Sequence, residues 1–394
     1  MVILGLSITS SWENGHASTY RGLMRELCAR GHHVLFLERD LPSYANHRDL
    51  PGPPYGRTEL YSSFEDLTSR FGNMVRDADL VIVGSYVPDG IELGQWVTRT
   101  ARGRTAFYDI DTPITLRTLA GGTCEYLCPE LIPRYSLYLS FSGGPALRTL
   151  QHSYGAVAVR PLYAFADPEL YRPSGIEPQW DLGYLGTYSS DRQPALERLL
   201  IDPARREPDL SFAVAGPQYP VELQWPRNVR LIEHLPLSEH CRFYNAQRFT
   251  LNVTRTDMAK MGFSPSIRLF EAAACGTPII SDYWKGLSTF FEPGIEILTA
   301  RSKYDVLEIL LHLPEKTRIE LAAKARARVL LSHTAAHRAE QLEQYAHQLL
   351  VKSAKHRAGR ASVPGAVISA AAKGVPPATT AQGTDSRSAT ISPQ

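Results

Sequence analysis

Residues 262–282 read GFSPSIRLFEAAACGTPIISD, and they set the architecture. Ser264 is a suitable N-cap, Pro265 suits a first helical position, and Gly276 with Pro278 closes the helix. The spacing predicts a helix over about 265–275 followed by a buried strand over 278–281. A short helix punctuated at both ends and feeding a strand is the repeating unit of a parallel α/β sheet.

Upstream the same alternation recurs. Strands are expected at 181–185, 210–215 and 249–253, with a helix at 192–200. Before them, strands at 2–7, 33–38, 80–84, 105–109 and 137–141 alternate with helices such as 17–30, which Gly31 terminates. Between the two series, RPLYAFADPELYRPSGIEPQW (160–180) carries four prolines and no period. The chain therefore reads as two Rossmann-like domains, 1–165 and 181–333, joined by a linker at 166–180. Helical periodicity resumes at 316–350 with an interruption near 332–334. A final helix is expected over 334–352, and the Ala/Ser/Pro/Gly-rich stretch 353–394 reads as a disordered tail.

Composition bounds the function. With 42 basic and 40 acidic residues in 394, nucleic acid has no electrostatic handle here. No apolar run reaches the length of a membrane span, and no secretory leader is expected from the short apolar MVILGLSI with its polar continuation. A cytoplasmic location is expected, compatible with at most weak peripheral association with a membrane. The five cysteines, at 28, 124, 128, 241 and 275, form no zinc pattern, and no metal or other cofactor is expected.

In open α/β sheets ligands bind beyond the carboxyl ends of the strands. There, Arg268 and Glu271 stand three apart on one helical face amid small and apolar neighbours. Glu271 suits the two hydroxyls of a ribose; Arg268 and the helix N-terminus with Ser266 suit a diphosphate. An ordinary surface ion pair is the competing reading. After the strand ending at Leu185, the loop Gly186, Thr187 to Arg192 offers a second anion site, with Ser190 and Gln193 spaced as a capping box. Gly216, His234, Arg255, Gly286 and Leu287 occupy further loops of the donor half. On the first domain, the loop 10–16 (including Trp12, Glu13 and Asn14) and the DID of 109–111 supply candidate proton acceptors, His16 and Asp111.

The stretch SIRLFEAAACGTPIISDYWKGL (266–287) resembles the donor-binding helix of GT-B glycosyltransferases. With FYDIDTPITLRTL (107–119), YLSFSGGPALRTL (138–150), DLGYLGTYSSDRQPALERLL (181–200) and TLNVTRTDMAKMGFSPSIRLFEAA (250–273), it is similar to the CgeB-like group over most of 1–350. The resemblance implies a GT-B fold with the active site between the domains and a last helix crossing back to the first. It implies a nucleotide-sugar donor, a hydroxyl-bearing acceptor, and Gly216 and His234 beside the nucleobase. Many retaining members carry E-x7-E, with the first Glu on the sugar; here Phe263 holds that position. A GT-B epimerase and a non-catalytic sugar-nucleotide-binding protein are the alternatives. D-I-D also matches the metal-binding pattern of GT-A transferases, and a dehydrogenase would suit two Rossmann domains, but no G-x-G-x-x-G follows either first strand.

Overall fold

In the computed structural model, residues 1–12 and 14–361 are described, with side chains to Leu349. Two parallel sheets carry the alternation. The first contains β1 (Val2–Gly5), β2 (Leu35–Arg39), β3 (Arg57–Tyr61), β4 (Leu80–Gly84), β5 (Arg104–Asp109), β6 (Leu137–Ser140) and β7 (Val159–Pro161), in the order 3-2-1-4-5-6-7. The second contains β8 (Trp180–Leu185), β9 (Phe212–Ala215), β10 (Val229–Ile232), β11 (Gln247–Asn252), β12 (Ile279–Ser281) and β13 (Leu298–Thr299), in the order 10-9-8-11-12-13. Each order reverses beside its first strand, at β1/β4 and at β8/β11, and such a switch point leaves a crevice above the strand ends.

Strands buried on both faces explain their continuous apolar runs, such as VILG and LVIVG. Apolar clusters cover both faces of the first sheet; Ile3, Tyr20 and Phe36 pack on one side, Leu4, Phe71 and Phe107 on the other. Ala335, Ala339 and Leu342 of the last helix join the first of these clusters. The chain thus returns to its N-terminal domain through that helix, as the resemblance implied. Arg338, 1% exposed, holds the crossing by donating to the carbonyls of Tyr163, Ala164 and Ser332.

Several local expectations need correction. The donor-side helix spans Ile267–Ala274, and its N-cap is Ser266, whose hydroxyl accepts from the Arg268 amide. Ser264 instead bonds the Ser142 hydroxyl across the domain boundary at 2.7 Å. Ser190 and Gln193 form no capping box: the helix after β8 begins at Gln193 with Arg192 at its cap and no side-chain bond there. That helix runs beyond Leu200 through a π turn at Glu197–Ile201 to Arg206, the wide turn lying just before Pro203. The strand β3 directly follows the Pro/Gly-rich PGPPYG (51–56) and is not among the strands expected above. The last helix is Ala335–Ala361, longer than 334–352; Ala, Lys and Arg, frequent in its last turns, have high helix propensity. Within the tail, 362–394 lies outside the described residues, as does Glu13.

Met1–Leu350 forms one compact unit, and the described residues 351–361 fall outside it. No helix among the described residues is long and apolar enough to cross a membrane.

Candidate functional site

The loops leaving both switch points line one cleft. Two cavities of about 200 and 290 Å³ share Gly15, Gly186, Thr187, Ile267 and Arg268. The first continues to Gly216, His234, His240, Tyr244 and Glu271, the second to His16, Asp111, Arg192, Arg255 and Ser266. Residues 185–271 come from the second domain, and Ser11–Thr19 with Asp111 from the first.

Arg268 is 6% exposed and Glu271 4%. Arg268 donates from Nε to the Leu185 carbonyl at 2.5 Å and from Nη1 to Asn252 Oδ1 at 2.9 Å, with its guanidinium 4.8 Å above the Tyr184 ring. Glu271 accepts the Tyr244 hydroxyl at 3.0 Å. No ion pair joins the two, so the surface-pair reading fails. Each is positioned by a different partner and borders the same cavity. A buried guanidinium with no carboxylate at ion-pair distance among the described residues favours an anion from outside.

Two more arginines gather beside it. Arg192 donates from Nη2 to the Thr187 carbonyl at 2.6 Å, and Arg255 lies 3.8 Å from Asp191. The Nε of each is buried without a hydrogen-bond partner. Two glycines make room for the loops. Gly216, at φ +148°, would place a Cβ 2.2 Å from the Gly186 carbonyl oxygen, and a Cβ on Gly186 would lie 2.8 Å from Arg268 Nη2. Any side chain at Gly216 separates the two loops or strains the backbone.

Next to His234, at one end of the first cavity, an aromatic series bridges the domains. Trp12 stacks on His47 (centroids 4.0 Å, 12°) and meets His234 at a tilt (4.2 Å, 35°). His240 bonds the Leu235 carbonyl at 3.3 Å, and burial lowers its pKa. Sequence reasoning missed His240, Tyr244 and Tyr184. The first two share the helix Leu237–Asn245 with apolar residues, and no period distinguishes a cleft-lining polar group from a core one.

The first domain's loop 7–15 is fixed from below. Glu38, fully buried at the end of β2, accepts from the Ile8 and Thr9 amides (2.7 and 3.0 Å) and from the Ser7 and Thr9 hydroxyls. In nicotinamide enzymes an acid at this position takes ribose hydroxyls. Here four internal donors occupy it, so the N-terminal domain holds no dinucleotide in that manner. Arg21 further pins the loop through Asp49, a bidentate pair at 2.8 Å. Burial opposes ionisation of Asp49, but Arg21 and Ser11 outweigh it and bring its pKa to about 2.

His16 and Asp111 meet in the second cavity. Burial drives the His16 pKa down to about 4, against the pull of Asp111, so its imidazole is neutral at pH 7. Tyr86, held at φ +64°, donates its hydroxyl to Asp111 Oδ2 at 2.9 Å. Asp109 does not point with Asp111 at a common centre. It is fully buried and accepts from Tyr138 (2.6 Å) and Thr115 (2.8 Å), and burial raises its pKa to about 6. The DID segment thus splits into an internal acid and a cleft acid, which removes the basis for reading it as a metal clamp.

Gly286 and Leu287 line neither cavity. Leu287 is fully buried in the core, and Gly286 lies against the Phe263 ring. Phe263, at φ +52°, is wedged between Gly144 of one domain and Gly286 of the other, and its carbonyl accepts the Gly143 amide at 2.8 Å. The position where a sugar-contacting Glu is often found is here a domain spacer.

Two sheets of this order, facing each other across a ligand cleft with a returning C-terminal helix, define the GT-B fold. Residues 192–344 match the family described as glycosyl transferase-like. No curated protein matches the chain in sequence. Among solved structures it is similar to a sucrose-phosphate synthase from Thermosynechococcus elongatus, with TM-score 0.64 and 15% identity over 89% of this chain and 100% of that one. HepE from Anabaena, solved with UDP and glucose, gives TM-score 0.65 and 14% identity over 88% and 100%. An alpha-glucosyltransferase in complex with UDP gives TM-score 0.64 and 12% identity over 88% and 99%.

Proposed function

We propose that the chain is a glycosyltransferase that moves a sugar from a nucleoside diphosphate donor to a hydroxyl acceptor. The observation that carries this reading is the placing of Arg268 and Glu271, buried, unpaired with each other and bordering one interdomain cleft. Glu271 takes the ribose hydroxyls, with Gly216, His234 and His240 around the base. Arg268, helped by Arg192 and Arg255, neutralises the diphosphate as it leaves. UDP is the first choice of nucleotide, since HepE and the alpha-glucosyltransferase were solved with it.

In the transfer, the acceptor oxygen bonds to the anomeric carbon while the bond from that carbon to the phosphate oxygen breaks. Asp111 receives the hydroxyl proton, with Tyr86 holding its carboxylate and neutral His16 beside it. The nucleotide sugar is a substrate, and the reading invokes no resident cofactor. The CgeB-like resemblance is kept as the narrower family assignment.

Binding without turnover is the second reading, favoured by Phe263 in place of a sugar-contacting Glu. A thermal-shift panel of UDP, GDP, dTDP and CDP tests the donor site, because a ligand at about a hundred times its Kd adds roughly 2.7 kcal/mol of stability. Silence across the panel sinks the proposal. Stabilisation with no nucleotide release from any sugar donor favours the second reading.

A further inference from the structure

We infer that the cavity between the loop after β4 and the 118–126 segment is the acceptor subsite, built for an uncharged sugar ring laid against Tyr86 and Tyr126. This rests on the transferase reading above and names the acceptor class that it leaves open.

The cavity, about 440 Å³, opens at the carboxyl end of β4 and has no lining residue in common with the transfer cleft. Tyr86 connects the two. One side of it lines the cavity, while its hydroxyl is bonded to Asp111 in the cleft. A ring held here therefore sits one side chain away from the carboxylate proposed to take its proton. The Tyr86 and Tyr126 rings lie 4.7 Å apart at 48°, forming a bent aromatic corner. The Tyr126 hydroxyl is tied to Thr115 at 2.8 Å, so the corner is rigid. Aromatic faces accept the C–H face of a pyranose, and a rigid wall keeps the ordering cost of binding low.

The charge of the lining selects further. None of its ten residues is Lys, Arg or His, and two are acids, Asp89 and Glu125. Asp89 is paired with Arg39, which leaves the Glu125 carboxylate to face the contents. A phosphorylated or carboxylated acceptor would bring a second anion with no cation to meet it. Hydroxyls suit the rim: Glu125 accepts from them, while Thr118 and Thr123 both donate and accept. A flat phenol would use the aromatic corner but leave this polar rim without partners.

Saturation-transfer NMR on the full chain, with and without UDP, tests this. The probes are the methyl glycosides of glucose, galactose, mannose and xylose, together with glucose 6-phosphate and p-nitrophenol. At least one neutral glycoside should give signal at least ~tenfold stronger than glucose 6-phosphate and stronger than the phenol. Thr123→Trp, at the exposed rim, should fill the cavity and cut that signal at least ~fivefold without changing the UDP signal. Tyr126→Leu should do the same. Silence from all four glycosides, a stronger response to the phosphate or the phenol, or glycoside signal undiminished in Thr123→Trp overturns the subsite. The UDP signal reads the donor site separately: UDP bound with glycosides silent rejects only the subsite, and UDP silent rejects the donor reading.

Discussion

Arg268 and Glu271 stand three residues apart on one helical face and do not pair. The arginine is bonded to the Leu185 carbonyl and Asn252, the glutamate to Tyr244. Each is positioned separately at a different stretch of the same cleft. This arrangement suits the two ends of a ribosyl diphosphate, and it fixes how the two residues should differ on substitution.

Glu271→Gln should lower UDP affinity by about ten- to a hundredfold, the scale of losing a charge-assisted hydrogen bond. The same variant should weaken uridine binding equally, because the ribose is common to both. Calorimetric titration of the two ligands checks it; unchanged UDP affinity would overturn the ribose assignment.

Arg268→Lys should instead separate the ligands. A lysine cannot donate to Leu185 and Asn252 together while also stacking on Tyr184. UDP binding should fall well below wild type, with uridine affected much less. Equal losses for both would place Arg268 away from the phosphates.

Gly216→Ala should remove donor binding through geometry alone. At φ +148° with a Cβ 2.2 Å from the Gly186 oxygen, alanine must displace the loop that carries Thr187 and Arg192. A stability loss of about 1–3 kcal/mol should accompany it. Denaturant unfolding and UDP titration read the two effects; wild-type values in both would show that the loops do not need this contact.

Asp111→Asn should cost about 10²- to 10⁴-fold in turnover, the usual reach of general-base catalysis, while donor affinity stays near wild type. Asparagine can keep the Tyr86 hydrogen bond, so the loss would report the proton rather than the position. Sugar transfer measured with the donor that stabilises the protein is the readout, and full activity would exclude Asp111 as the base.

His16 makes a prediction in pH. Its folded pKa of about 4 lies below the ordinary 6.5 of an exposed histidine, chiefly through burial. Its contribution is therefore complete above about pH 6.5 and is lost as pH falls toward 4, with a slope of up to about 1.4 kcal/mol per pH unit. Asp109, raised to about 6, acts with the opposite sign, so the wild-type curve alone is ambiguous. Comparing urea midpoints of wild type and His16→Gln between pH 7.5 and 5 isolates the term. The variant should show the shallower acid loss; parallel curves would mean that His16 is not desolvated.

Much of this protein was legible because local physics repeats along the chain. Strand and helix periods, the Pro-rich break at 160–180 and the turn at Gly31 are short-range signals, and Leu80–Gly84 and the break after Ser332 fall where they were expected. The capping details were less secure. Ser264 and Ser266 are both good caps, and the choice went to Ser266 because Ser264 is bonded to Ser142 of the other domain, 122 residues away.

The sequence by itself determined two α/β domains and a helix whose Arg268 and Glu271 suit a nucleoside diphosphate, since these rest on spacing along one element. Tertiary structure alone decided that Arg268 and Glu271 ignore each other, that Asp109 and Asp111 part company, and that Phe263 spaces the domains. It also brought His16, Asp111 and Tyr86 together. Such choices depend on which groups from distant segments arrive within hydrogen-bond reach, and no period within a single strand or helix records that.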